Sequence, residues 1–360
     1  MKRTKQGTPE KETPRAKLAD QMKKKVKANK TAKASPEYDG TISQVVSTGS
    51  TLLDLAISGG RVRGGGVPTG IFVEVFGPKA SGKTVLLCEM AGAVQRQGGQ
   101  VMFHDPEARL NKQFAQMFDL DTEALEYDTP DTIPEVFNRI RAWEPSDSNS
   151  LNGVFADSLA ALSTDMEMEK DEGDKMGMRR AKEFSEELRK TCRIIKQKNL
   201  LLVGSNQVRH SQNSYGPKYI APGGEALGFY ASLRLRFGSP QKIKVKKTIQ
   251  GKEVEKVIGV TTEVEVEKSS VWEPYHTAPL TIIFDYGIDS IRDELQFIKD
   301  HTKNKVYTLD GENLHTSMEK SIRMVEERGP EAVQSLREEV IDLWEDIQQK
   351  FKTNRSPKIR

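Results

Sequence analysis

The stretch Gly77-Pro-Lys-Ala-Ser-Gly-Lys-Thr84 constrains this chain more than any other. It fits G-x-x-x-x-G-K-[ST], an order of residue types that suits a phosphate. Glycines let the backbone curl until its N–H groups face an anion, and the helix that begins there adds its positive end. Lys83 supplies a point charge to the outer phosphates of a nucleotide, and Thr84 offers a hydroxyl to Mg²⁺. A chance match in a chain of 360 residues has a probability of about 1% from average residue frequencies. The flanks agree with the motif. Ile71–Phe76 reads as a buried strand, and Val85 to Arg96 has helical periodicity. Gly77, Pro78, Lys79, Ala80, Ser81, Gly82, Lys83 and Thr84 are therefore the expected nucleotide-binding segment.

The rest of the chain repeats that texture. Apolar runs at Val101–His104, Gly153–Ala156, Leu200–Gly204 and Ala231–Phe237 alternate with helical stretches such as Lys112–Phe118. Strands alternating with helices predict an α/β fold with a mostly parallel, doubly wound sheet. Ile243–Lys247 and Glu253–Lys268 alternate apolar with charged residues around Gln250–Gly251, which reads as an antiparallel extension with one wet face. Thr281–Asp285 looks like a last core strand. Beyond Asp289 the chain turns helical, and Val333, Leu336, Val340, Leu343, Trp344, Ile347 and Phe351 form one apolar stripe.

The two ends are basic. Residues 1–35 hold twelve Lys or Arg against Glu10, Glu12 and Asp20, a net +9 in a chain of net +3, so the remainder is net −6. Leu18, Met22 and Val26 recur at helical spacing, which fits either a solvated tail or a short helix that needs a partner surface. The expected division is a basic arm at 1–44, a core at 45–288, a small α+β domain at 289–352 and a basic tail at 353–360.

The near-balance of 55 basic and 52 acidic residues excludes a histone-like chain as a whole. Cys88 and Cys192 are too few and too far apart for a disulfide framework, so a reducing cytoplasm is the expected compartment. No apolar run approaches the ~18 residues of a membrane span, and the start lacks the apolar core of a secretory signal.

Other residues complete a nucleotide-hydrolysing site. Asp157 ends the run VFAD, and a carboxylate at the end of a central strand can hold the water shell of Mg²⁺. Glu107 is the first choice for polarising water, with Asp105 second, because both come after the strand that succeeds the phosphate-loop helix. Asn206 and Gln207 end another strand, where neutral amides can sense a terminal phosphate and move the adjoining loop. That loop is RHSQNSYGPKYIAPGG, Arg209–Gly224, rich in turn residues with two tyrosines. Met166–Arg180 has a similar texture. Such loops beside a nucleotide site either contact a partner or act as a lid. Backbone N–H groups at Gly223–Gly224 with Arg209 suit phosphates, and Tyr215 or Tyr219 can stack on a base.

Six segments in order resemble the RecA recombinases of bacteria: STGSTLLDLAISGG, FGPKASGKT, FHDPEARLNKQFAQMFDLD, VFADSLAAL, SNQVRHS and GGEALGFYASLRLRF. DELQFIKDHTKNKVYTLDGENL and the Glu-rich helix after it resemble that family's small C-terminal domain, so the likeness covers roughly residues 45–350. The resemblance implies a RecA-type core that binds ATP and Mg²⁺, with an N-terminal helical arm used in polymerisation. It also implies a helical filament of identical subunits on single-stranded DNA that pairs with homologous duplex DNA and exchanges strands, with no membrane involved. Glu107 falls on the catalytic glutamate, and Gln207 on the glutamine that senses the γ-phosphate and orders the second DNA loop. Phe114 and Asn111 fall on the adenine contacts. Phe229, Arg234 and Lys268 fall on the subunit interface, Lys268 reaching the neighbour's γ-phosphate. Met176, Gly177, Ser185, Arg189, Arg209, Gly223 and Gly224 fall on DNA-loop positions.

The departures are specific. The family commonly has a second lysine two residues after the first, where this chain has Ser270. One cation fewer should weaken transition-state stabilisation or coupling between subunits. The first DNA loop is one residue longer after Met176, and the second is one shorter, with His210–Ser211 in place of an apolar–cationic pair. The chain ends basic where the family often ends acidic. These differences resemble a divergent or phage-encoded member, for which the compartment is the host cytoplasm. Two other uses of the same core compete: a ring-forming motor, and a coat for single-stranded DNA that uses ATP only as an assembly switch.

Overall fold

The computed structural model describes residues 42, 44–147, 150–164, 167, 176–210, 219–220 and 225–355. Ten strands make its main sheet: β1 (Ile71–Gly77), β2 (Val101–His104), β3 (Leu125–Asp128), β4 (Gly153–Ala156), β5 (Leu201–Gln207), β6 (Leu233–Phe237), β7 (Gln241–Ile249), β8 (Lys252–Ser269), β9 (Thr277–Ile283) and β10 (Gly287–Ile288). Six of them run parallel in the order β6-β1-β5-β4-β2-β3. β8 joins β6 antiparallel, β9 joins β8, β10 joins β9, and β7 folds back on β8. The mostly parallel α/β core expected from the alternation is present, and so is the antiparallel extension.

Helices cover both faces of the sheet, as crossover connections between parallel strands require. They are α1 (Thr51–Ser58), α2 (Lys83–Arg96), α3 (Lys112–Gln116), α4 (Ile133–Ala142), α5 (Met176–Gln197), α6 (Ala226–Tyr230), α7 (Ser290–His301), α8 (Met318–Glu327) and α9 (Pro330–Phe351). On one face, α2 buries Leu86, Leu87 and Met90 against Val73, Val75, Val203 and Phe103. On the other, Phe137 of α4 and Phe184 of α5 meet edge to face over Phe72, Val154 and Leu202. The central strands therefore read as unbroken apolar runs, because both of their sides are covered.

The C-terminal stretch continues the first core. Leu336, Val340, Ile341 and Trp344 of α9 are buried in the same cluster as Leu52, Leu55 and Leu295. The stripe expected from the sequence holds from Val333 to Trp344, but Phe351 is exposed because α9 runs past the core. The sequence also suggests a loop through Arg180, whereas α5 begins at Met176. Its apolar periodicity continues to Phe184 and Leu188, so packing against α4 extends the helix N-terminally. Apart from residues 42 and 44, the arm at 1–44 lies outside the described residues, as do residues 356–360 of the basic tail. No described helix is long and apolar enough to cross a membrane.

Candidate active site

The parallel strands all end at one edge of the sheet, and the expected residues gather there. Gly77 closes β1, beside Gln207 at the end of β5 in register. Asp157 comes directly after β4, where its N–H donates to the carbonyl of His104 at the end of β2. Between them lies a cleft of about 500 Å³. Lys79 to Thr84, Glu107, Asp157 and Gln207 line it, so the expected groups converge from four separate stretches of chain.

The phosphate loop has the backbone its sequence predicts. Gly82 has φ +102°, and a Cβ there would come within 2.3 Å of Ile282 Cδ1. A Cβ on Gly77 would come within 2.7 Å of the Phe237 backbone oxygen. Gly82 caps α2 without a side-chain hydrogen bond, which leaves first-turn N–H groups free for an anion. Ser81 Oγ instead closes the loop on the Pro78 carbonyl at 2.9 Å. Lys83 Nζ donates to the carbonyls of Gly77 at 3.1 Å and Pro78 at 2.6 Å. Burial pushes the Lys83 ammonium below its ordinary range, while Asp157 and Glu107 pull it back up. A polyphosphate would give this buried cation the countercharge that its own loop carbonyls lack.

The floor is a carboxylate held from both sides. Thr84 Oγ1 donates to Asp157 Oδ2 at 2.5 Å, and Ser205 Oγ donates to Asp157 Oδ1. A hydroxyl and a carboxylate oxygen suit Mg²⁺, whose remaining ligands would be phosphate oxygens and water. Ser158 Oγ, buried and also lining the cleft, has no hydrogen-bond partner among the described residues. The residues present thus fit a magnesium-bound nucleoside triphosphate.

Glu107 stands at the mouth on a short turn. Asp105, buried, accepts from Leu110 N at 2.7 Å and from the Tyr127 hydroxyl at 3.0 Å. Its carboxylate is thereby committed to holding the turn, which separates its role from that of Glu107. Burial, and after it the bond to Asp105, pushes the Tyr127 phenol up to about 12.

Asn111 and Phe114 are not among the residues that line this cleft. Asn111 Oδ1 caps α3 by accepting from Phe114 N at 2.9 Å, and the Phe114 ring meets Phe118 edge to face. Val260, Ile282 and Phe284 of the antiparallel extension form the cleft's apolar wall. Phe284 is half exposed at the end of the predicted strand Thr281–Asp285, and that strand end is the one signal the sequence holds for it.

A buried polar chain leads away from Gln207. Its N–H donates to Asn206 Oδ1 at 2.9 Å, and Asn206 Nδ2 donates to Glu74 Oε1 at 3.0 Å. Arg234 Nε donates to Glu74 Oε2 at 2.7 Å, and another arm of the guanidinium meets Glu267 at 2.8 Å. The same guanidinium lies 4.3 Å from the centre of the Phe76 ring. Lys268, next along β8, donates to the carbonyls of Gly228 and Phe229, 2.9 Å each. Phe229 is 76% exposed on α6, and Ser270 Oγ donates to the Ser232 carbonyl at 3.2 Å. Ser185 is half-buried on α5 and Arg189 exposed. Met176 and Gly177 open α5, and Arg209 pairs with Ile220 in a two-residue bridge. Gly223 and Gly224 lie outside the described residues.

A phosphate loop ending the central strand of a parallel sheet, with a carboxylate at a nearby strand end, defines a P-loop NTPase core. A family model described as RecA N-terminal domain matches residues 17–289. Protein RecA of Delftia acidovorans is 34% identical over 246 residues, 68% of this chain and 63% of that protein. Protein RecA of Thermus thermophilus is 35% identical over 251 residues, 69% of each. The crystal structure of the RadB recombinase has a TM-score of 0.47 at 23% identity, covering 68% of this chain and 98% of that one. The chain belongs to the RecA family. Its match spans a little under two thirds of the Delftia protein's length.

Proposed function

We propose that this chain is an ATP-dependent DNA recombinase that forms a helical filament on single-stranded DNA, pairs it with homologous duplex and exchanges strands. The observation that carries this reading is the convergence of Lys83, Thr84, Asp157, Glu107 and Gln207 on one cleft, with Gln207 two residues before the Arg209–Gly224 segment. Lys83 and the loop N–H groups would hold the phosphates, and Thr84 with Asp157 would hold Mg²⁺, whose charge offsets that developing on the phosphoryl oxygens. Val260, Ile282 and Phe284 would cover the base. Glu107 would take a proton from the attacking water. Gln207 would report the terminal phosphate to the DNA segment just beyond it, and through Asn206, Glu74 and Arg234 to the α6 surface carrying Phe229.

In the same reading Phe229, Arg234 and Lys268 serve contacts between subunits. Ser185, Arg189, Arg209 and the Gly223–Gly224 backbone serve DNA phosphates, with no readout of base edges. Residues ~14–34 of the arm, which lie outside the described residues, serve the contact with the next subunit. The compartment is a reducing cytoplasm. The test is ATP turnover with and without single-stranded DNA of several sequences. Turnover should rise with every sequence, and turnover indifferent to DNA would leave only a DNA-independent ATPase. Filaments on DNA without appreciable turnover would favour the coat reading, which Ser270 in place of a cation supports.

A further inference from the structure

The cleft holds one charged side chain that no motif accounts for, Arg109. Its NH1 lies 2.8 Å from Glu107 Oε2, with the Arg109 side chain 70% exposed and Glu107 23%. The backbone around it is fixed. Ala108 between the two residues has φ +50°, its N–H donates to the Asp105 carbonyl at 2.9 Å, and Leu110 N donates to the Asp105 carboxylate. The turn therefore delivers both the acid and the guanidinium to the mouth, while the guanidinium itself keeps its freedom in water.

Three arguments give this pair a use. An ion pair so exposed contributes little to stability, so it exchanges easily for a stronger partner. A carboxylate oxygen engaged by a guanidinium 2.8 Å away is occupied and cannot at the same time face an attacking water. A terminal phosphate offers denser negative charge, and its oxygens match the planar fork of arginine. Lys83 shows the same arrangement deeper in the cleft, a cation resting on groups of its own loop.

We propose that Arg109 is a terminal-phosphate contact supplied by the same subunit, which holds Glu107 when no triphosphate is present and transfers to the phosphate when one binds. The transfer adds a cation at the terminal phosphate and frees Glu107 to accept a proton from water. This rests on the ATP reading of the cleft given above.

The test is equilibrium binding of fluorescent ADP and of a fluorescent non-hydrolysable ATP analogue to the full chain and its variants. Arg109→Ala should lose about tenfold in affinity for the triphosphate analogue and keep its affinity for ADP. Arg109→Lys should keep part of that preference. Glu107→Gln should tighten triphosphate binding when Arg109 is present and leave it unchanged in the Arg109→Ala background, a coupling that a purely structural arginine would not produce. An unchanged ratio of triphosphate to diphosphate affinity in Arg109→Ala overturns the proposal. So does tightening by Glu107→Gln in both backgrounds. A wild-type chain that binds neither nucleotide overturns the ATP reading and the proposal with it, whereas wild-type binding with an indifferent Arg109→Ala overturns the proposal alone.

Discussion

At the floor of the cleft, Thr84, Asp157 and Ser205 interlock, while at its mouth Glu107 and Arg109 meet in an ion pair that water reaches. The floor is contributed by three stretches of chain packed side by side at the sheet edge, so its geometry is set before any ligand arrives. The mouth is one turn of backbone pinned by Asp105, with side chains free to change partner. Binding calls for the first kind of construction, since donors that need no reorganisation stabilise charge best. A switch between nucleotide states calls for the second.

The contrast can be broken at either end. Lys83→Ala removes the buried cation from the floor and should lower the rate of phosphate release at least about a hundredfold, with nucleotide binding weakened as well. Wild-type turnover would mean that this loop does not hold the nucleotide's phosphates. Glu107→Gln acts at the mouth and should slow hydrolysis by about 10²- to 10⁴-fold while nucleotide binding and assembly persist. A variant that folds but binds no ATP would make Glu107 part of the cradle instead.

Beyond the cleft the same comparison predicts stability. Arg234→Ala leaves Glu74 buried without its cation and should cost about 3 kcal/mol, read as a lower urea midpoint at unchanged slope. A loss below about 1 kcal/mol would mean that Asn206 and water satisfy Glu74 alone. The β7–β8 hairpin supplies the small end of the scale. Lys244 meets Glu255 at 2.8 Å and Lys246 meets Glu253 at 2.9 Å, both pairs well exposed. Lys244→Ala should therefore change stability by less than about 1 kcal/mol. A larger loss would show that this hairpin is held by a partner surface.

Legibility in the sequence divides along the same line. The phosphate loop, Asp157 and Glu107 are legible because each lies at or just past the end of an apolar run, and runs that end together in a parallel sheet end at one edge. The base wall is not, since Val260, Ile282 and Phe284 reach the cleft only after the chain has crossed the sheet and turned antiparallel. Arg109 is hidden because an exposed arginine beside an acid is ordinary until the turn at Ala108 is known. Glu74 does carry a signal of its own. It is the only charge inside the buried run Ile71–Phe76, so it must have partners, and Asn206 and Arg234 are those partners. The start of α5 at Met176 is obscured for a different reason. Gly177 and the charges around it weaken local helix propensity, and packing on α4 decides the matter.

In the proposed function, ATP in the cleft is coupled to assembly on DNA. Electron microscopy of the full chain with single-stranded DNA and a non-hydrolysable ATP analogue tests it most directly. Regular helical filaments should form with the analogue and be lost with ADP. Closed rings, or isolated subunits under both conditions, would contradict it.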